Sequence, residues 1–182
     1  MFVTKIQLLS GEDVISRLLK VRLKGHGQEL VYSDVRLGGL VEGRYLLPAQ
    51  NYVLASKMKL ITELHHQILA MGVDIFDMAG LLFWLRGQDQ PIPLLPPIVE
   101  YDNMSLTIAD GMHRVACSEK TRVYVCKARF PYYAYPLPNW TRVQCLDRLP
   151  KGFIKKTYRE PLDHTALFRD YNAQFPGIQE KR

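Results

Sequence analysis

The stretch that most limits what this chain can fold into is 106–127. Leu106-Thr107-Ile108-Ala109 is β-rich, Asp110-Gly111 breaks it, Met112–Ser118 can be a short helix, and 122–128 is β-rich again. Strand, tight turn, helix and strand within so few residues require helices packed on a sheet, so the expected class is α/β (α+β) with a small mixed sheet. The handover at Gly111 also has a chemical consequence. Glycine turns sharply and lets a ligand reach the backbone. The helix that follows presents unpaired N–H groups and a partial positive charge, which suits phosphate. Gly111 and Met112 would contribute backbone donors, and His113 and Arg114 side-chain donors, the arginine bidentately. Asp110 is placed to hold Mg²⁺, to activate an acceptor or to cap the helix. The competing reading is a tight turn with a capped helix and two surface residues.

The rest of the chain supplies sheet and cover. Residues 2–9 read as a strand, and Ser10 with Asp13 as a weak helix cap ahead of Val14, Ile15, Leu18 and Leu19. Strands are expected at 29–35 and 43–47, separated by Gly38-Gly39. A helix is expected over 54–71, where Met58, Ile61, Leu64, Ile68 and Met71 form one apolar stripe before Gly72. Residues 73–85 are apolar and read as a second helix. Pro91-Ile92-Pro93-Leu94-Leu95-Pro96-Pro97 excludes helix and central strand, because its four prolines remove donors and fix φ. Two short strands, 98–101 and 105–109, follow across Asp102-Asn103. The segment 131–140 is aromatic and proline-rich, and 164–172 can be helical.

Composition bounds the class of protein. The 182 residues suit one core, and with 47% hydrophobic and 23% charged residues neither disorder nor a membrane class is indicated. No apolar run reaches the ~20 residues of a membrane helix, and residues 1–5 lack a basic leader; the expected location is cytoplasmic. Cys117, Cys126 and Cys145 form no C-x-x-C pair, which favours reduced thiols over disulfides or zinc. The net charge of +6 favours phosphate-bearing partners without separating nucleotide from nucleic acid. Lys151, Lys155, Lys156 and Arg159 lie in a basic tail that could reach a polyphosphate, although a solvated tail is the commoner outcome. Tyr132, Tyr133, Tyr135 and Trp140 could stack on a base, although aromatics between prolines more often pack on a core. His65 and His66 are adjacent on a helix and face different sides, so they read as polar surface.

Pro96-Pro97-Ile98-Val99, then Leu106 to Cys117 with its Asp110-Gly111-Met112-His113-Arg114 centre, then Val123-Tyr124-Val125 resembles the ParB/sulfiredoxin superfamily. The likeness covers 45–130, with 1–44 as an N-terminal and 131–182 as a C-terminal extension of a single domain. It implies nucleotide phosphates on the turn: ATP or another nucleotide, with Mg²⁺. Met112 stands where sulfiredoxins carry a reactive cysteine, so a thiol route is not expected. The turn also lacks the glutamate of the chromosome-partitioning branch. In the free-serine kinase branch, nearest in motif, an early glutamate acts as base. The matching stretch here is Pro48-Ala49-Gln50-Asn51, and an amide such as Gln50 cannot take a proton. Glu12, Asp13, Glu42 and Asp74 are the carboxylates that could replace it in space, and Lys155 is a candidate further phosphate contact. The resemblance thus implies a nucleotide-dependent phosphotransferase acting on a small hydroxylated metabolite, with Asp110 and His113 as catalytic residues. The alternative is a non-catalytic, nucleotide-switched or nucleic-acid-binding regulator of ParB-like type.

Overall fold

The computed structural model describes residues 2–25, 29–102, 105–130, 139–152 and 168–176. It is a mixed α/β fold with small sheets and four helices among those residues, in agreement with the α+β expectation. The strands are β1 (Val3–Leu8), β2 (Tyr32–Glu42), β3 (Tyr52–Leu54), β4 (Leu81–Leu85), β5 (Ile92–Leu94), β6 (Ile98–Asp102), β7 (Ser105–Asp110), β8 (Lys120–Ala128) and β9 (Gln144–Leu146). The helices are α1 (Gly11–Leu18), α2 (Ala55–Leu69), α3 (Met112–Ala116) and α4 (Tyr171–Gln174).

The main sheet has the order β2-β8-β6-β7. β7 returns antiparallel to β6, α3 crosses over, and β8 runs parallel to β6, as the strand–turn–helix–strand pattern requires. One face carries Val35, Ile98, Tyr124 and Cys126, covered by Val14 and Leu18 of α1 and by Phe175. The other carries Val99, Ile108 and Val123 against Met112, Val115, Leu46 and Val53. Every residue in these two sets is at most 7% exposed. A smaller sheet, β1-β4-β5, packs on Leu64 and Ile68 of α2. β3 and β9 form a two-stranded parallel ladder.

Several expectations needed correction. Residues 73–85 are not a helix: a turn-rich stretch leads into β4, whose Leu-Leu-Phe-Trp-Leu composition suits a strand paired on both sides. Gly38-Gly39 does not separate two strands. β2 runs through the pair, the ladder with β8 shifts register between Leu37 and Leu40, and Gly43–Tyr45 forms a 3-10 turn instead of a strand. Gly38 serves close approach here, since a Cβ on it would lie 3.2 Å from the Val123 carbonyl oxygen, whereas one on Gly39 would meet nothing within 4 Å. The proline segment contributes the short outer strand β5, where Pro93 is tolerated because β5 pairs on one side only. The Ser10 cap is present, its Oγ accepting from Asp13 N at 3.1 Å. Of the helix expected at 164–172, residues 164–167 lie outside the described residues; α4 begins only at Tyr171.

Candidate functional site

Asp110 ends β7 opposite Ile98, and Gly111 then turns the chain with φ of 96°, in the left-handed region that favours glycine. Space makes the same demand. A Cβ at Gly111 would sit 2.9 Å from Pro97 Cα, so the second proline of Pro96-Pro97 buttresses the turn. α3 follows at once, and Val115 N donates to Gly111 O at 3.0 Å.

Within the turn, Arg114 Nη2 donates to Asp110 Oδ2 at 2.5 Å. The pair bridges the glycine, with 15% of the arginine side chain and 28% of the aspartate side chain exposed. Arg114 Nε is buried and has no hydrogen-bond partner among the described residues, so the guanidinium keeps unused donor capacity beside the turn.

His113 does something its sequence position does not reveal. Its Nε2 accepts a hydrogen bond from Leu54 N at 3.0 Å. That geometry assigns the neutral ring with its proton on Nδ1. Burial, then the Lys57 and Arg114 charges, push its pKa down to about 4, with Asp110 opposing. His113 is therefore a neutral strut and not a third cation. Leu54 is the residue that opens α2, a 15-residue helix without a side-chain cap at its N-terminus. The strut thus seats the positive end of α2 beside the α3 turn.

This geometry predicts a pH dependence. The folded pKa lies below the unfolded value, so between pH 6.5 and about 4 the unfolded chain binds the extra proton. Stability from this group is complete above 6.5 and is lost as pH falls toward 4. Urea midpoints of wild type should fall across that window more steeply than those of His113→Asn. Parallel profiles for the two proteins would refute the strut.

The other sequence candidates are exposed or engaged with other partners. Gln50 Nε2 donates to Tyr52 O at 2.8 Å, within its own loop. Glu12 is exposed in the first turn of α1. Asp13 pairs with Arg17, Glu42 with Arg44, and Asp74 accepts from Phe76 N and lies 3.3 Å from His65. Lys155, like Lys156, Arg159, Tyr132, Tyr133 and Tyr135, lies outside the described residues. Asp110 is the carboxylate these contacts place at the turn.

A protein-held metal does not fit this donor set. Among the described residues no three of His, Cys, Asp and Glu come together, and Asp110 is already engaged by Arg114. Mg²⁺ is ordinarily held by one or two carboxylates plus substrate phosphates, and Asp110 by itself makes no protein cage for it. Cys117, four residues beyond His113, has its Sγ 3.6 Å from Met58 O, and burial raises its thiol pKa. His65 packs edge-on against Phe76 at 4.8 Å while His66 is exposed.

Two features escaped the sequence. Lys57 belongs to the site's electrostatics, but a lysine in the first turn of a helix looks like any surface lysine. An open groove of about 630 Å³ lies at the far end of α3, lined by Glu42, Arg44, Val115, Ala116, Glu119 and Trp140, among others. Trp140 Nε1 donates to Gly43 O and Leu46 O, both at 2.9 Å, which fixes the indole in place.

A Pro-Pro strand entry, an Asp-Gly turn clamped by its own arginine, and a crossover helix between strands of one mixed sheet define a ParB-like domain. The chain belongs to the ParB CE domain family, whose model matches residues 13–144. No curated protein and no solved structure matches the sequence. No described helix is long and apolar enough to cross a membrane.

Proposed function

We propose that this ParB-like domain binds a nucleotide, with the phosphates on the Gly111 turn. The observation that carries the reading is the His113–Leu54 hydrogen bond. Through it, the uncapped N-terminus of α2 and the glycine turn meet beside Arg114 and the charge of Lys57. Backbone donors of the α2 N-terminus with a guanidinium and an ammonium form a concentrated anion-binding environment. Nucleotide phosphates carry the charge and the acceptor oxygens that such an environment favours.

The finer reading is a nucleotide-dependent phosphotransferase acting on a small hydroxylated metabolite. Its support is chemical. Phosphoryl transfer asks a protein mainly for positioning and charge stabilisation, which Gly111, Arg114 and Lys57 can supply. Asp110 is the carboxylate at the turn that would orient an acceptor hydroxyl, while Arg114 holds its Oδ2. His113, with Nε2 committed to Leu54, positions the two helices and does not serve as the base.

The test is a thermal-shift panel of ATP, ADP, CTP and GTP with Mg²⁺. At a hundredfold excess over Kd, binding stabilises by about 2.7 kcal/mol, a Tm rise of roughly 5–10 °C for a chain of this size. Arg114→Ala should lose most of that rise. No shift with any of the four nucleotides would sink the reading. Transfer is then assayed with the nucleotide that binds, and Asp110→Asn should abolish turnover while retaining the shift.

A further inference from the structure

We infer that Cys117 and Cys145 are a reversible thiol–disulfide pair, closed by a peroxide, that ties the end of α3 to β9. The pair lies outside the nucleotide reading above and does not depend on it.

The main sheet sorts the three cysteines. Cys126, on β8, is sealed under α1 beside Tyr32 and Tyr124 and is 0% exposed. Burial pushes its thiol pKa far up, so it has neither access nor thiolate character. Cys117 and Cys145 belong to the other side of the sheet. Cys117 caps α3, whose Met112 and Val115 pack in one cluster with Val53. Cys145 stands opposite Val53 in the parallel β3–β9 ladder, and residues opposite one another in a ladder share a face. Val53 is buried in that cluster, so Cys145 lies on the α3 side of β9, at its exposed rim.

The two thiols also bracket the start of α2. Cys117 Sγ donates to Met58 O at 3.6 Å, in the first turn of that helix. Cys145 pairs with the residue just before Leu54, which opens it. Burial raises the Cys117 pKa most, Thr62 opposes the rise, and the charge of Cys145 adds to it. Charges near the surface act on one another within about 10 Å at ordinary salt. A disulfide needs Cα atoms about 4.4–6.8 Å apart. β9 has three residues and a single partner strand, so it is the element that yields to bring them there.

Exposure assigns the order of the chemistry. Cys145 is exposed and meets the oxidant. Its thiolate sulfur attacks one peroxide oxygen and the O–O bond breaks. The other oxygen leaves as hydroxide, takes up the thiol's proton as water, and a sulfenic acid remains on Cys145. The Cys117 sulfur then attacks that sulfur. The S–S bond forms, the S–O bond breaks, and the hydroxyl leaves as water with the Cys117 proton. Two thiols lose two electrons in all, and one peroxide becomes two waters. A dithiol reductant reverses the step by exchange. Cys117, half-buried and held as a thiol at Met58 O, is shielded from direct attack and serves as the resolving partner.

Trypsin places the three cysteines in separate peptides, 115–120, 123–127 and 143–148, so mass spectrometry reads the pairing directly. The full chain is treated with a small excess of hydrogen peroxide, alkylated in denaturant and digested without reductant. Peptides 115–120 and 143–148 should be recovered joined, with 123–127 alkylated, and dithiothreitol should separate them. The oxidised chain should gain roughly 5 °C in Tm, because the link closes a long loop in the unfolded state. In Cys117→Ser the sulfenic acid on Cys145 should persist and be trapped by dimedone. In Cys145→Ser position 117 should stay a free thiol, with no gain in Tm. A link between two chains, a link to Cys126, or Cys145 oxidised in the wild type while Cys117 stays free would each overturn the assignment.

Discussion

Arg169→Met is expected to lower the stability of the protein by about 3–5 kcal/mol, the usual cost of stranding one member of a buried ion pair. Arg169 and Glu100 are each 5% exposed. Nε and Nη2 of the arginine donate to the two carboxylate oxygens at 2.8 and 2.9 Å, and Nη2 also donates to Phe130 O at 2.7 Å. Tyr32 donates to the same carboxylate at 3.0 Å, and its hydroxyl meets that of Tyr171 at 2.5 Å. Burial first, with the Glu100 charge among the further causes, holds both phenols well above their usual pKa. Burial works against the charge of Arg169, and Glu100 more than offsets it. Without the guanidinium, the carboxylate of β6 would face the core with one phenol for company. Urea unfolding reads the loss directly, and Tm should fall by roughly 10 °C. The double variant Glu100→Met with Arg169→Met should recover most of it, because removing both charges leaves nothing unpaired. A single variant within 1 kcal/mol of wild type would show that the network does not hold the fold as described.

Gly111→Ala is the second large effect, expected near 3 kcal/mol. About 1–2 kcal/mol comes from placing a Cβ on a left-handed backbone, and a similar amount from overpacking against Pro97, where the new atom would lie 2.9 Å from backbone. Pro97 O accepts from Tyr124 N at 2.9 Å, so the displacement would pass into β8. Gly72→Ala supplies the control. Its φ is 87°, yet nothing lies within 4 Å of a Cβ there, so its cost should stay near the backbone share alone. Equal costs at the two positions, measured by the same unfolding curves, would remove the packing argument. Gly111→Ala should also lose nucleotide binding at temperatures where it is still folded, and Gly72→Ala should not.

What was legible in the sequence followed from local chemistry. The Asp110-Gly111 break, the α2 stripe and the Ser10 cap are each written in a few neighbouring residues, and each is found in place except that Met71 lies beyond the end of α2 and is exposed. Features that depend on distant partners were misread or unseen. Leu81–Leu85 is apolar without a clear period, and only its pairing with β1 and β5 makes it a strand. Gly38-Gly39 reads as punctuation, whereas the approach of β8 makes it part of β2. At the candidate site, the motif named His113 and Arg114 as phosphate donors, and His113 as catalytic besides. Leu54 N, 59 residues away, makes the histidine a neutral strut and leaves the arginine as the cation. The Glu100–Arg169 pair spans 69 residues, and no local pattern announces it.

The clamp at Arg169 also sets when the protein can become itself. Phe175 is 1% exposed within the core that holds α1 and the face of the main sheet. Lys24 N donates to Phe168 O and Asp170 N to Arg22 O, so residues near both ends of the described chain close on each other. Synthesis runs from the N-terminus at about 5–20 residues per second. For several seconds, then, a nascent chain carries Tyr32, Glu100 and Cys126 without their cover. The native core is completed only when residue 175 has left the ribosome, and until then a buried carboxylate and an apolar sheet face are open to water and to other chains.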